Sequence, residues 1–253
     1  MSFTGKTAIS TGAASGMGLL FAENFAALGG NVLMCDVNEE VLREKAEEIN
    51  RRGQGRALAC RCDVRKYEEV LAARDLAVKE FQTIDVVANF AGGTAVRVCK
   101  VDPEKYPEFP DIPIEVFDWG IDVNLKGPFY FAHAVLSTMR EQKSGVILNI
   151  GSITGAEGTA RGMDYSTSKA GLMYGLTKSI AQYGAPYGIR CVCVSPGPVM
   201  TRPAMANMKT GLGRAAETQE VVDFIMYLTS EKAAAITGSN HFIDCGRETL
   251  PHR

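Results

Sequence analysis

The sequence has no surplus of either charge: 27 lysines and arginines face 29 aspartates and glutamates, for a formal net charge of −2. It lacks any lysine- or arginine-rich stripe that would follow a phosphate backbone, which argues against nucleic acid as a partner. It also lacks an apolar run near the roughly 18 residues that a membrane-spanning helix needs, so no membrane association is expected. The first residues, Met1-Ser2-Phe3-Thr4-Gly5-Lys6, do not have the charged-then-apolar layout of a signal peptide. A cytoplasmic location is the expectation. The seven cysteines, at positions 35, 60, 62, 99, 191, 193 and 245, are odd in number and include no C-x-x-C pair. That argues against a disulfide framework and a zinc site and favours small buried hydrophobes in a reducing compartment. The histidines His133, His241 and His252 have no metal-ligand spacing, so no metal is expected. No Pro/Gly/Ser-rich linker and no repeat period divides the 253 residues, which are read as one domain.

What is present is an ordinary globular balance, 46% hydrophobic and 22% charged, arranged as an alternation of short apolar runs and helical periods. Strands are expected at 7–11, 31–36, 57–64, 84–88, 146–150, 189–195 and 239–244. Met17, Leu20, Phe21, Phe25 and Leu28 recur at helical spacing until Gly29-Gly30 stop them. Asn38 can cap a second helix that ends near Gly53, and an amphipathic helix follows to about Phe81. Further helices are expected at 114–141, 163–184 and 218–228. Alternation of this kind predicts an α/β fold: one Rossmann-type, doubly wound parallel sheet of about seven strands with helices on both faces. Residues 98–113 hold Pro103, Pro107, Pro110 and Pro113, a density that suits only a surface excursion.

Thr11-Gly12-Ala13-Ala14-Ser15-Gly16-Met17-Gly18 lies between the first strand and the first helix. Glycines there let the backbone turn sharply and approach a pyrophosphate, which the N–H groups at the helix start then stabilise. Asp36 ends the second strand, where a carboxylate can accept hydrogen bonds from ribose hydroxyls and repel a 2′-phosphate. It therefore favours NAD over NADP, with a turn or helix-capping acid as the less favoured alternative for Asp36 alone. Asp63 and Val64, at the end of the third strand, are placed to flank an adenine, with strand-end turn chemistry as an equal alternative.

Tyr165-Ser166-Thr167-Ser168-Lys169 sets a phenol and an ammonium one helical turn apart on one face. A phenol of pKa near 10 needs a neighbouring cation to trade protons near neutral pH. Ser152 follows the fifth strand at its carboxyl end, where ligands collect in open parallel sheets. Its hydroxyl can hold a substrate oxygen, and the amide of Asn124 can carry a water that relays protons to Lys169.

With these motifs in this order, the chain resembles the short-chain dehydrogenase/reductase family along almost its whole length, from the T-G-x-x-x-G-x-G turn to Asp244-Cys245-Gly246. The resemblance implies Asn124, Ser152, Tyr165 and Lys169 as a catalytic tetrad. It implies a cofactor site formed by Gly12, Ser15, Gly16, Met17, Gly18, Asp36, Asp63, Val64, Ala91, Gly92, Tyr165, Lys169, Pro196, Gly197, Val199 and Thr201, with Val199 and Thr201 near the nicotinamide carboxamide. The implied reaction is hydride transfer between NAD(H) and a carbonyl or secondary alcohol, in a homo-oligomer, a tetramer or a dimer. A cofactor-binding sensor or scaffold without turnover is the alternative.

The pattern departs from the family in places. Asn89-Phe90-Ala91-Gly92 has Phe90 where the family's N-A-G motif has Asn, which puts the bracing of the central sheet in doubt, with Asn89 as the possible substitute. The 93–113 stretch is long and the 199–216 lid segment short. We therefore expect the proline-rich loop to supply a pocket wall or subunit contact that the lid does not. Met200, Met205 and Met208 suit either an adaptable apolar lining or plain loop packing. Arg97, Arg161 and Arg202 are more simply solvated surface arginines than receivers of an anionic substrate. Steroid, sugar, keto ester and acyl-carrier substrates all stay open.

Overall fold

A computed structural model describes residues 1–95, 109–201 and 203–250. Five-residue apolar runs and their neighbours form seven parallel strands: β1 (Thr7–Thr11), β2 (Asn31–Asp36), β3 (Ala57–Arg61), β4 (Val86–Asn89), β5 (Gly145–Ile150), β6 (Ile189–Pro196) and β7 (Asn240–Ile243). They form one sheet in the order β3-β2-β1-β4-β5-β6-β7. The chain crosses from β3 back to the far side of β1 before laying down β4, so a crevice opens beyond the carboxyl ends of β1 and β4.

Helices α1 (Gly16–Ala27), α2 (Glu39–Arg52), α3 (Tyr67–Phe81), α4 (Ile114–Ile121), α5 (Gly127–Gln142), α6 (Thr154–Glu157), α7 (Met163–Ala170), α8 (Thr177–Gly184) and α9 (Thr218–Thr229) connect the strands. Successive strand residues alternate between two cores. Ala8, Val32, Met34, Val86, Leu148 and Val192 pack under α1, α2 and α9. Ile9, Leu33, Val87, Ile147 and Cys191 pack under α3, α5 and α8. Both faces are covered, which is why the strands read as continuous apolar runs.

Asn38 caps α2 by accepting from the Val41 N–H, and Gly53 ends that helix at φ 70°. The third strand stops at Arg61, short of the expected residue 64. The chain turns there, with the Asp63 N–H donating to the Glu69 carboxylate at 2.9 Å. The fourth strand starts at Val86 rather than residue 84, because the Ile84 N–H and C=O are both taken by the Gln142 side chain. The expected helices at 114–141 and 163–184 are not uniform. A π turn at Asp122–Lys126 joins α4 to α5, and another at Gly171–Leu176 joins α7 to α8. Pro128 bears on the first of these, since it has no N–H to give the carbonyl of Asn124 four residues earlier. The short α6 had no clear periodic signal.

The doubtful corner after β4 is braced by Asn89. Its amide donates to Asn149 Oδ1 at 2.9 Å, and the Asn149 amide donates onward to Thr177 Oγ1 at 3.0 Å. Strands β4 and β5 and helix α8 are thereby tied through one buried chain. Phe90 packs on Phe21, ring centroids 5.5 Å apart. Among the described residues no helix is long and apolar enough to cross a membrane. The described cysteines are free thiols. Cys35, Cys62, Cys191 and Cys193 are buried as expected, but Cys60 and Cys245 are only half-buried, Cys60 because β3 is the edge strand of the sheet and Cys245 because it lies beyond the end of β7.

Candidate active site

The crevice predicted by the strand order is a cleft of about 500 Å³. It is lined by Gly12, Ser15, Gly16, Met17 and Gly18 from the first turn, by Asp36 and Val37 after β2, and by Cys62 to Arg65 after β3. Phe90, Ala91, Gly92, Trp119, Val123 and Thr201 complete the wall.

The turn is built for close approach. Gly12 has φ 63°, and a Cβ on it would press the Ala91 backbone at 3.0 Å. A Cβ on Gly18 would stand 2.5 Å from the Gly12 carbonyl, so only glycine lets α1 start against the strand end. The N-cap residue Ser15 makes no side-chain cap, and the first turn of α1 carries no acid. Its leading N–H groups therefore face the cleft unpaired by side chains, where an anion would be held. Asp36 serves as a turn acid and also faces the cleft: Oδ2 accepts from the Ala14 N–H at 3.1 Å and Oδ1 from the Asn38 N–H at 3.0 Å. Those bonds fix its orientation and leave lone pairs toward the crevice.

Gly92 marks where the cleft meets the proton-transfer groups, for Asn124, Ser152, Tyr165 and Lys169 lie behind its wall and are not themselves in the lining. A Cβ on Gly92 would lie 2.7 Å from Asn124 Oδ1 and 3.4 Å from Lys169 Nζ. Lys169 is buried, donates to the Ile150 carbonyl at 2.6 Å, and holds its ammonium 5.4 Å from the centre of the Tyr165 ring. Burial pulls its pKa down to about 8. Ser152, buried after β5, lies beside Tyr165. The phenol itself runs against expectation. Burial pushes its pKa up, and the Ser152 hydroxyl opposes that only in part. In the chain by itself, then, Lys169 does not make Tyr165 acidic.

The Asn124 side chain is also not the water carrier expected of it. Its amide donates to the carbonyls of Gly93 and Gly120, both at 2.9 Å, and its oxygen accepts from the Gly93 N–H at 2.9 Å. One amide hydrogen pins the π turn to the strand-end loop and the other ties it back to α4, so both are spent. Pro196 and Gly197 are likewise not in the lining. The Pro196 carbonyl accepts from the Ile153 N–H, and Gly197 packs against Asp244. Val199 is buried in a bridge to Ala216, whereas Thr201 is in the wall.

Trp119, Val123 and Arg65 line the cleft without having been expected there. Trp119 and Val123 are four residues apart on one helix face, and Arg65 directly follows Asp63-Val64, so position alone could have suggested them. Met205 and Met208 are half-buried and Met200 is more exposed. Arg161 is on the surface, while Arg97, Arg202 and residues 98–108 of the proline-rich stretch lie outside the described residues.

Comparison with known proteins decides what this arrangement is. The family profile described as short chain dehydrogenase matches residues 6–211.

The chain belongs to the short-chain dehydrogenase family.

Its relatives within that family span the whole chain. It is 38% identical over 252 residues to a trans-4-hydroxycyclohexanecarboxylate dehydrogenase of Sinomonas cyclohexanicum, covering 95% of this chain and 92% of that one. It is 32% identical to a 7alpha-hydroxysteroid dehydrogenase of Bacteroides fragilis, covering 96% and 95%. The crystal structure of a 3-oxoacyl-[acyl-carrier protein] reductase with bound NAD from Brucella melitensis superposes with a TM-score of 0.88, at 28% identity, over 98% of this chain and 92% of that one. Family membership makes this an oxidoreductase fold that acts on small molecules with a nicotinamide cofactor.

Proposed function

We propose that the protein is an NAD(H)-dependent dehydrogenase of secondary alcohols, or reductase of the matching ketones, in which Tyr165 exchanges the proton. The observation that carries the reading is that Gly92, in the wall of the cleft that Asp36 also lines, touches Asn124 and Lys169, which stand with the Ser152–Tyr165 pair just behind it. The residues fit a dinucleotide: the open start of α1 suits a pyrophosphate, and Asp36 suits a free 2′-hydroxyl. Val37-Asn38 after Asp36 offers no cation for a 2′-phosphate, which supports NAD over NADP.

A bound nicotinamide ring supplies or accepts the hydride. The chain's own residues do the rest. Ser152 and Tyr165 hold the substrate oxygen, so that one hydroxyl steadies it while the phenol gives or takes its proton. Lys169, with one donor committed to Ile150, has two left for ribose hydroxyls. It favours phenolate by attraction, and the positive charge of the oxidised ring must help it, since burial alone raises the phenol. The Asn124 carbonyl, which lacks an α-helical donor because of Pro128, is the place for a water that refills the proton. Holding these groups in register supplies much of the rate.

Two of the relatives are named for alcohols on alicyclic rings, and this supports a ring-borne secondary alcohol as the substrate class. A homo-oligomer and a cytoplasmic location remain part of the proposal. A sensor without turnover is the weaker alternative, because a pure binder has no use for a serine–tyrosine–lysine set at the cleft end. Tyr165→Phe tests the reading. It should leave NAD binding intact and lower turnover of cyclic secondary alcohols, followed at the NADH absorbance band, by orders of magnitude. Near-normal turnover would exclude Tyr165 as the proton-transfer group.

A further inference from the structure

β3 is the edge strand of the sheet, and it pairs with β2 so that Cys60 stands directly opposite Cys35. Residues opposite one another on adjacent strands have Cα atoms about 4.8 Å apart. That spacing is inside the window of about 4.4–6.8 Å that a disulfide spans. Cys62, two residues after Cys60, packs on the same face of the sheet, so three cysteines meet at one corner of the core under α3. They are not equally reachable. Cys35 and Cys62 are buried, whereas Cys60 is half-buried at the open edge. They also ionise unequally. Hydrogen bonding to Cys60 and Cys62 pushes the Cys35 thiol up, whereas the hydrogen bond from Cys35 holds Cys60 below the ordinary thiol value, against its burial and the carboxylates of Glu69 and Glu39. Thiolate, the nucleophilic form of cysteine, therefore collects on the most exposed member of the trio. The backbone joins this corner to the cleft. The Cys35 carbonyl accepts from the Ala13 N–H of the glycine turn at 3.1 Å, and the Cys62 N–H donates to the Asp36 carbonyl at 2.9 Å.

We infer that Cys60 and Cys35 are a peroxide-sensitive thiol pair, whose disulfide weakens the hold of the neighbouring cleft on its dinucleotide. The coupling to binding rests on the proposed nucleotide site and goes beyond it. The thiol chemistry stands apart from that site. The Cys60 thiolate, its proton given to water, attacks one oxygen of hydrogen peroxide. An S–O bond forms, the O–O bond breaks, and the departing hydroxide takes up a proton to become water. The Cys35 thiol then attacks the sulfenic sulfur. The S–S bond forms, the S–O bond breaks, and the Cys35 proton leaves with the hydroxyl as a second water. Two thiols have lost two electrons and one peroxide has gained them. Cβ atoms that stay about a strand spacing of 4.8 Å apart are wider than the roughly 3.8 Å of a relaxed disulfide. Closing the bond therefore draws the ends of β2 and β3 together, and it shifts Asp36 and the glycine turn, which are tied to Cys35. A disulfide under that tension is readily reduced, as a reversible switch requires.

The experiment treats reduced protein with hydrogen peroxide, blocks the remaining thiols with iodoacetamide in denaturant and maps the tryptic peptides by mass. Cleavage after Lys6, Arg43, Arg56, Arg61 and Arg65 puts Cys35, Cys60 and Cys62 on separate peptides, 7–43, 57–61 and 62–65. The expected product joins 7–43 to 57–61. NAD⁺ binding by the same samples, measured calorimetrically without turnover, weakens by about tenfold or more, the worth of one hydrogen bond to a charged group. Dithiothreitol restores it. Cys60→Ser and Cys60→Ala bind NAD⁺ like the reduced wild type both before and after peroxide. Thiols that all remain open to alkylation, a disulfide that leaves out Cys35 or Cys60, or a linked pair with unchanged NAD⁺ affinity would each overturn the inference. So would a loss of binding that dithiothreitol does not reverse, or one that peroxide also causes in both Cys60 variants. Reduced protein that bound no NAD⁺ would overturn the nucleotide site and the coupling with it, a failure told apart from that of the thiol pair because the peptide map is read without NAD⁺.

Discussion

Tyr165 and Lys169 sit one helical turn apart, yet burial drives them in opposite directions: the phenol becomes harder to ionise and the ammonium easier to neutralise. In the proposed reaction their partnership draws on a third charge, that of the oxidised nicotinamide ring. Asp36 is the residue whose role is simplest to isolate. Replacing it with Ala removes both the acceptor for ribose hydroxyls and the repulsion toward a 2′-phosphate. The ratio of kcat/KM for NAD to that for NADP should fall by about tenfold or more, as for the loss of one charge-assisted contact. An unchanged ratio would remove that role. Asp164, next to Tyr165, makes a separate case. It is 3% exposed, its Oδ2 has no hydrogen-bond partner among the described residues, and burial raises its pKa. A carboxyl whose folded pKa lies above the unfolded one contributes most below the ordinary carboxylate range. That contribution disappears as pH rises toward the folded value. At neutral pH the ionised form is a cost. Asp164→Asn should therefore gain on the order of 1 kcal/mol at pH 7.5, seen as a Tm rise of about 2–4 °C, and gain little at pH 4. Equal gains at both pH values would show that ionisation is not the cause.

Elements were legible where one physical signal dominated. The parallel strands stood out because both of their faces are buried, and α2 because a capping asparagine and a terminal glycine bracket it. The glycine turn and Asp36 were legible because their chemistry sits on consecutive residues. What escaped notice depends on tertiary partners. The π turns satisfy backbone groups that no period in the sequence marks. The end of β3 is set by Glu69 on the next helix, and Trp119 reaches the cleft wall from α4, which packs on α7. The packing of α4 on α7 shows how narrow such constraints are. A Cβ on Gly120 would drive into the Asp164 carboxylate. The Gly120 carbonyl also accepts from Ser168 at 3.1 Å and from Asn124 at 2.9 Å, so it joins both helices of the site. Gly120→Ala should cost about 1–3 kcal/mol by overpacking. Because the helices that part carry Asn124, Tyr165 and Lys169, kcat should fall along with the Tm. A variant with normal Tm and normal kcat would show that the contact relaxes freely.

At the scale of the whole molecule, the cleft runs between the two halves of the sheet, and a ligand that fills it ties those halves together. At Lys209 the segment after Thr201 is tied to neighbouring elements. Arg247 makes two hydrogen bonds to Glu157, at 2.9 and 3.0 Å, and a third to the Lys209 carbonyl at 3.2 Å, joining the end of the chain, α6 and the segment after Thr201. Binding to the native state alone stabilises by mass action, about 2.7 kcal/mol at a ligand concentration of one hundred times Kd. For a chain of this size that corresponds to a Tm rise of about 5–11 °C with NAD⁺. NADP⁺ at the same concentration should give a smaller shift. A Tm indifferent to NAD⁺ at millimolar concentration would contradict a dinucleotide site.

The π turn at Asp122–Lys126 has a mechanical consequence. It holds one residue more than an α-helical turn would, so the residues of the two flanking helices are out of angular step by about 100°, the rotation of a single residue. Excising one residue there would let the ladder close in ordinary register. With α5 still seated on the sheet, α4 would revolve about its own axis and carry Trp119 and Gly120 off the faces they now occupy. The surplus residue thus works as a phase shifter, letting one rod present its sheet-facing side and its crevice-facing side at different azimuths.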